Sequence, residues 1–375
     1  MGKYLSKHFQ DKEGYHLGEA PKDRTYIKIN ANESPYPPSP AVLSALTKEL
    51  VTTQNLYADP KSTELTKTIA AYYHVKPEQV FADSGSDVIL AYCMIAFGSG
   101  NGGFCFPDVT YNFYKTFSIF FGLQYREIPL KKDFSICADD YCSCGCNVLI
   151  ANPNAPSGLK LDLADVKRIA ATNSAHLVII DEAYVDYGNE SCVPLINQYD
   201  NLLIIQTMSK SRNLAGARIG FAVSSAQNIA DLFQMKAAFN PDSINSISQA
   251  LGCAAVRDVD YMHQCVSKII RTREKVRAAL LQRGFHVLES NTNFLFFEPT
   301  VLSAEALYSA LKQEGVLVRY YDQPRIQTYI RMSIGTEEQM HTVIAKIDKI
   351  LLRCCKTQTT IVSPYPSYQT RIEAN

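Results

Sequence analysis

Three stretches constrain the fold most: NVLIANPNAPSG from Asn147, HLVIIDEAYVDY from His176 and NLLIIQTMSKSR from Asn201. Each carries a short unbroken run of Val, Ile and Leu and then turns polar. Runs of this length read as strands buried on both faces, the pattern of a parallel sheet with helices on either side. In such sheets ligands bind beyond the carboxyl ends of the strands. Asn154, Asp181 and Lys210 lie at or just past those ends, so separate segments deliver an amide, a carboxylate and an amine to one crevice.

The flanking sequence continues the alternation. VFADSGSDVILAYCMIAF reads as a strand, a Gly-Ser turn and an apolar helix from near Ser86. GGFCFPDVTYNFYKTFSIFFG and LQYREIPL carry on with strand and helix. Further helices are expected from near Pro40, over Glu64 to His74, and from about Asp258 to Arg283. After the last of these the pattern becomes strand, helix, strand, strand, helix. With 375 residues, 46% of them hydrophobic and 20% charged, the chain has material for two cores. The expected division is an arm over 1–28, a large domain over 29–260, a smaller α+β domain over 261–353 and a polar tail over 354–375.

Composition removes several classes. Lys plus Arg and Asp plus Glu are both 37, so no global field draws the chain to nucleic acid or to an anionic membrane. The first residues contain no apolar signal core, and no run reaches membrane-spanning length, so a cytoplasmic protein is expected. The eleven cysteines are scattered and odd in number, which reads as reduced thiols. Cys142, Cys144 and Cys146 form a C-x-C-x-C run without a second CxxC or a His pair to complete a tetrahedral site. They read as a surface turn before a strand, with no metal expected.

The polar groups at the strand ends have a joint chemistry. A lysine at a mainly buried strand end, with Arg212 and Arg218 nearby, has its ammonium form disfavoured and becomes a nucleophile towards carbonyls. Arg218, Ser209 and the backbone of the DSGSD turn around Gly85 make an anion cradle at a helix start. Asp181, buried at its strand end, asks for a cationic partner. An amine for a Schiff base, a carboxylate opposite a protonated pyridine nitrogen and a phosphate cup are the groups that pyridoxal 5'-phosphate requires. No G-x-G-x-x-G follows the first strand, which argues against a nicotinamide-binding sheet.

Together DSGSD, NPNAPSG, DEAYVDY, SKSRNLAGARIGF and RMSIGTEEQ resemble the fold-type-I pyridoxal-phosphate-dependent aminotransferases, over roughly residues 28–353. The resemblance implies an α/β fold: a large domain with a mainly parallel seven-stranded sheet between helices, and a smaller α+β C-terminal domain. It implies a homodimer with shared active sites, and one cofactor alternating between an amino donor and a 2-oxo acid acceptor.

Carried over to this sequence, Lys210 holds the Schiff base and moves the substrate proton, Asp181 keeps the ring nitrogen protonated, and Tyr184 bonds the ring oxygen. Ser209 and Arg218 hold the phosphate with Gly85, Ser86 and Asp87, Tyr111 stacks on the ring, and Tyr57 reaches the neighbouring subunit's cofactor. Many relatives read NNPTG where this chain reads NAPSG, so the asparagine beside the ring oxygen is Asn154 or is absent. Arg331 matches the arginine for the substrate's acid group, Arg319 is a second arginine for a substrate phosphate, and Tyr36, near the arm, shapes the pocket.

Within the family the motifs are most similar to the histidinol-phosphate aminotransferases. That implies L-histidinol phosphate and 2-oxoglutarate as substrates, giving imidazole-acetol phosphate and L-glutamate. Aromatic amino-acid transamination and phosphoamino-acid decarboxylation use the same lysine and arginines and stay open.

Overall fold

The computed structural model describes residues 3–14, 18–100 and 102–359. Strand β1 (Ile27–Lys28) precedes helices α1 (Pro40–Ser44), α2 (Lys48–Thr52) and α3 (Thr63–Tyr73). Then follow β2 (Val80–Asp83), α4 (Ser86–Gly98), β3 (Phe104–Pro107), α5 (Phe113–Phe121) and β4 (Tyr125–Ile128). The chain continues through β5 (Asn147–Ala151), α6 (Leu163–Thr172), β6 (Val178–Asp181), β7 (Leu202–Thr207) and β8 (Gly220–Val223). Helices α7 (Ala226–Phe239), α8 (Ser246–Arg257) and α9 (Val259–Gln282) lead to β9 (His286–Val287) and β10 (Phe294–Glu298). The last elements are α10 (Ala304–Gln313), β11 (Val316–Leu317), β12 (Arg319–Tyr320), β13 (Ile330–Ser333) and α11 (Glu337–Thr359).

The three apolar runs are β5, β6 and β7, adjacent and parallel at the centre of a seven-stranded sheet ordered β2-β8-β7-β6-β5-β3-β4. All its pairings are parallel except those of β8, which runs antiparallel to β2 and β7. Every residue of β5, β6 and β7 is buried, because alternate side chains enter two different cores. Val148, Ile150, Val178, Ile180 and Ile204 pack with Leu65 and Ile69 of α3 and Val166 and Ile169 of α6. Leu149, Ile179, Leu203 and Ile205 pack on the other side with Ile89 and Leu90 of α4 and Ile229 and Leu232 of α7. The strand registry sets Asp181 level with Ala151 and Ile205, so a carboxylate stands at the rim where the apolar ladder stops.

The helical stretch expected from Pro40 forms as two short helices. Ser39 Oγ caps α1 by accepting from Val42 N, and Thr47 Oγ1 caps α2 by accepting from Leu50 N, so a second helix start interrupts the first.

A second sheet, β12-β13-β10-β9, is antiparallel and packs against α9, α10 and α11 through Val266, Ile269, Leu307, Leu311, Val343 and Ile347. The N-terminal segment is sewn to this second unit. β1 pairs in parallel with β11, Ile29 N donates to Leu317 O at 3.0 Å, and Ser333 N donates to Ile29 O at 2.9 Å. Thus the arm ends in a strand, because Ile29 finds a place in the second core. Helix α11 continues to Thr359, beyond the point where a tail was expected, and the rest of that tail lies outside the described residues. Among the described residues no helix is long and apolar enough to cross a membrane.

Candidate active site

Beyond the carboxyl ends of β5, β6 and β7 lies a cavity of about 220 Å³. Ala151, Asp181 and Thr207 close it from the strands, Ser86 and Asp87 from the start of α4, and Arg319 and Arg331 from the second sheet.

Lys210 follows β7 by three residues and is half-buried in this cavity. Its Nζ lies 3.4 Å from Ala31 O and 5.8 Å from the centre of the Tyr184 ring. Burial lowers its pKa to about 8, with the Arg331 guanidinium the next cause and Arg218 contributing. About a tenth of the amine is then neutral and nucleophilic at pH 7, far more than for an ordinary lysine.

Asp181 is only 4% exposed. Tyr114 donates its hydroxyl to Oδ2 at 2.8 Å, and Ala183 N–H donates to Oδ1 at 3.2 Å. Burial pushes its pKa up to about 6 against these two bonds. Its close partners are neutral donors, so the charge is hydrogen-bonded but not neutralised, which is the state of an acid that awaits a cation. Tyr114 has its ring edge-on to Tyr111, 5.8 Å away.

The turn before α4 is built around Gly85, which has φ +92° and whose Cβ, if present, would lie 2.7 Å from Arg218 Nη2. Only glycine admits both that backbone and that close guanidinium. Arg218 reaches Ser209 Oγ at 3.4 Å and Asp87 Oδ2 at 3.3 Å, and Tyr111 donates to Asp87 Oδ1 at 2.8 Å. Gly220 passes beneath, where a Cβ would come within 2.3 Å of Ser86 N. Ser86 and Asp87 at the helix start, Ser209 and the Arg218 guanidinium thus line the cavity together, where an anion would compete with the Asp87 carboxylate for Arg218.

Arg319 and Arg331 are directly opposite each other on the antiparallel pair β12 and β13. Side chains at opposed positions share a face, so two guanidinium groups line the same wall. Arg331 donates from Nη2 to Asn30 O at 3.0 Å and stacks over Phe294 at 5.4 Å, while Arg319 stacks over Tyr321 at 5.5 Å.

Two residues predicted at this cavity lie elsewhere, and a third, expected to serve the neighbouring subunit, lies away from it. Asn154 is buried behind the wall: its Nδ2 donates to Val109 O at 3.0 Å and its Oδ1 accepts from Thr110 at 2.7 Å, leaving Ala155 to line the cavity. Tyr36 does not line it either, since its ring instead meets Lys268 of α9 at 5.3 Å. Tyr57 is 89% exposed in the loop after α2, away from this chain's own cavity.

In turn, residues not singled out from the sequence are present. Asn30, Ala31 and Asn32 line the cavity, and Asn32 Nδ2 donates to Tyr184 OH at 2.8 Å. The cue available was two asparagines flanking an alanine, polar side chains that need partners if buried.

These groups fit pyridoxal phosphate. Among the described residues no cation is hydrogen-bonded to the buried Asp181, the Lys210 amine is held below the usual lysine range, and the missing Cβ at Gly85 lets the Arg218 guanidinium lie against the turn as a charge for a phosphate.

Residues 24–347 match the family described as aminotransferase class I and II. The histidinol-phosphate aminotransferase of Clostridium acetobutylicum is 43% identical over 94% of this chain and 100% of its own length. That of Brachyspira hyodysenteriae is 44% identical over 94% of this chain and 99% of its own. The crystal structure of histidinol-phosphate aminotransferase from Sinorhizobium meliloti in complex with pyridoxal-5'-phosphate superposes with a TM-score of 0.84 at 21% identity, covering 94% of this chain and 99% of that one. A sheet-end amine, a buried acid and an anion cradle, set in a match that spans most of the sequence, lead to one conclusion: the chain belongs to the class I and II aminotransferases, enzymes that work with pyridoxal phosphate.

Proposed function

We propose that this enzyme transfers the amino group between L-histidinol phosphate and 2-oxoglutarate, yielding imidazole-acetol phosphate and L-glutamate. The observation that carries the reading is the arginine pair, Arg319 facing Arg331 across two strands on the wall that Lys210 shares. A phosphate monoester is a dianion and gains from two converging guanidinium groups, whereas one suffices for a carboxylate. The names carried by the relatives from Clostridium acetobutylicum and Brachyspira hyodysenteriae support the same substrate.

In this reading Lys210 is the residue that would hold the cofactor through its amine, and the one that would move the proton at the substrate α-carbon. Asp181 holds the proton on the ring nitrogen, and Tyr114 and Ala183 hold Asp181. Tyr184 bonds the ring oxygen and is itself oriented by Asn32. Gly85, Ser86, Asp87, Ser209 and Arg218 would receive the phosphate, and Tyr111 would cover the ring face. When bound, the cofactor supplies the electron sink that makes the α-proton acidic.

The reading includes a homodimer in which the exposed Tyr57, next to the exposed Leu56, completes the neighbouring subunit's site. It also includes a large unit over 29–260 with a small one over 261–353, and a reducing, cytoplasmic setting suited to the free thiols.

The test compares specificity constants for histidinol phosphate, histidinol, phenylalanine and O-phosphothreonine, with carbon dioxide monitored. Loss of two charge-assisted contacts is expected to cost on the order of 3 to 6 kcal/mol, so histidinol should be hundreds-fold or more slower. Arg319→Met and Arg331→Met should each erase much of that discrimination. Faster reaction of phenylalanine would favour an aromatic aminotransferase, and carbon dioxide from phosphothreonine a decarboxylase.

A further inference from the structure

The cysteine run before β5 is not part of the active site, yet it does not stand alone. Cys105, the second residue of β3, projects to meet it: its Sγ lies 3.5 Å from Cys144 Sγ, which lies 3.9 Å from Cys146 Sγ. All three sulfurs lie within 4.8 Å of one another. Sulfurs on one face of a tetrahedron around a zinc-sized ion, with metal–sulfur bonds of about 2.3 Å, stand about 3.8 Å apart. The trio already has nearly that spacing. Cys142 does not join this cluster of three sulfurs; its thiol donates to Ala138 O at 3.4 Å.

We propose that Cys105, Cys144 and Cys146 form a three-thiolate site for a thiophilic divalent cation of the zinc type, its fourth position left to water on the open side of Cys144. The ligands differ in exposure as such a site needs: Cys105 and Cys146 are buried, and Cys144 is half-buried. The loop that carries Cys144 is held in place independently of any ion. Asn173 donates from Nδ2 to Tyr141 O at 2.7 Å and to Ile169 O at 2.8 Å, and its Oδ1 accepts from Cys144 N at 3.2 Å. Arg126 donates to Cys144 O at 3.2 Å, placing a positive charge beside a site whose three thiolates exceed the charge of a divalent ion.

Cys105 and Cys146 lie at the amino ends of β3 and β5, where Phe104 is level with Asn147. The cavity holding Lys210 lies at the other ends of the strands. A cation here therefore clips the loop to the sheet and takes no part in amino transfer.

The experiment is titration of the reduced, full-length holoenzyme with Co²⁺, read as the sulfur-to-metal charge-transfer absorption, followed by displacement with Zn²⁺. One equivalent per chain should saturate the band and Zn²⁺ should remove it. Cys144→Ser, at a half-exposed position, should abolish the band while leaving transaminase turnover unchanged. Cys142→Ser should keep it, as should Cys354→Ser/Cys355→Ser, which removes another dithiol. Absence of the band in the wild-type protein, its survival in Cys144→Ser, or its loss in either control would overturn the proposal.

Discussion

Replacing Asp181 with Asn should make the apoprotein more stable and the enzyme nearly inactive. The carboxyl is 4% exposed, and burial raises its pKa from the usual 3.8 to about 6. At about 1.4 kcal/mol per pH unit, holding it ionised in the folded apoprotein at neutral pH costs about 3 kcal/mol. The sign follows from proton counting. Between about pH 4 and 6 the folded state binds more protons at this site than the unfolded state, so wild-type stability falls as pH rises through that window. Above about 6 the whole penalty is present, and below about 4 none of it. Asn carries no charge and so does not pay it, while its carbonyl oxygen can still accept the Tyr114 hydroxyl.

The assay is urea denaturation of the two apoproteins over pH 4 to 7.5, where taking the difference between them cancels every other titrating group. It should open from near zero to about 3 kcal/mol in favour of Asp181→Asn. Adding pyridoxal phosphate should shrink or reverse it, because on the proposed reading the ring nitrogen would give the carboxylate its cation. Turnover should drop by several kcal/mol of barrier, since an unprotonated ring is a poor electron sink. A difference that stays flat with pH, or a less stable Asp181→Asn apoprotein at pH 7, would refute the electrostatic reasoning. Near-normal turnover would make the acid structural.

Borohydride reduction of the holoenzyme followed by peptide mapping should label Lys210, and a label on another lysine would end that assignment. The rate of cofactor attachment to the apoenzyme should rise with pH and level off above about 8, with the inflection displaced upward in Arg331→Met. An inflection in the ordinary lysine range for the wild type would contradict the lowered amine. Gly85→Ala should weaken cofactor binding at least about tenfold, or about 1.4 kcal/mol, because the methyl meets the Arg218 guanidinium. Unchanged affinity would move the phosphate elsewhere. Mixing Lys210→Ala subunits with Tyr57→Phe subunits should restore part of the activity, and no recovery despite proven exchange would remove Tyr57 from the partner's site.

What the sequence disclosed tracks how much of the cause is local. β5, β6 and β7 were legible because a strand buried on both faces must be apolar at every position, a pattern visible in one window. Lys210, Asp181, Gly85 and Arg218 were legible because unlike chemical groups at consecutive strand ends coincide only for a reason. β1, β9, β11 and β12 are two residues each, too short for any period, and exist because a neighbour's edge recruits them.

Asn154 shows the opposite difficulty. A polar residue after a strand can face the crevice or brace a loop, and here Val109 and Thr110 decide it from outside the window. The Asn32–Tyr184 bond spans 152 residues, and Cys105 joins a run 39 residues away, so neither was visible as a motif.

The arginine wall has a second effect through Lys210. Burial and the Arg331 field together hold the amine near pKa 8, which suits attachment of the cofactor. The same weak basicity is a handicap once the amine must take a proton from the substrate's α-carbon. On the proposed reading, a substrate anion docked on Arg331 offsets the guanidinium charge, so the lysine regains proton affinity at the stage that needs it. A phosphate dianion does this more fully than a carboxylate. Substrate choice and base strength are then one electrostatic device, and removing the phosphate from the substrate weakens both. Its absence should therefore lower kcat as well as raise KM: the rise in KM reports the phosphate's uniform binding on the arginine wall, and the fall in kcat reports the part used only in the transition state.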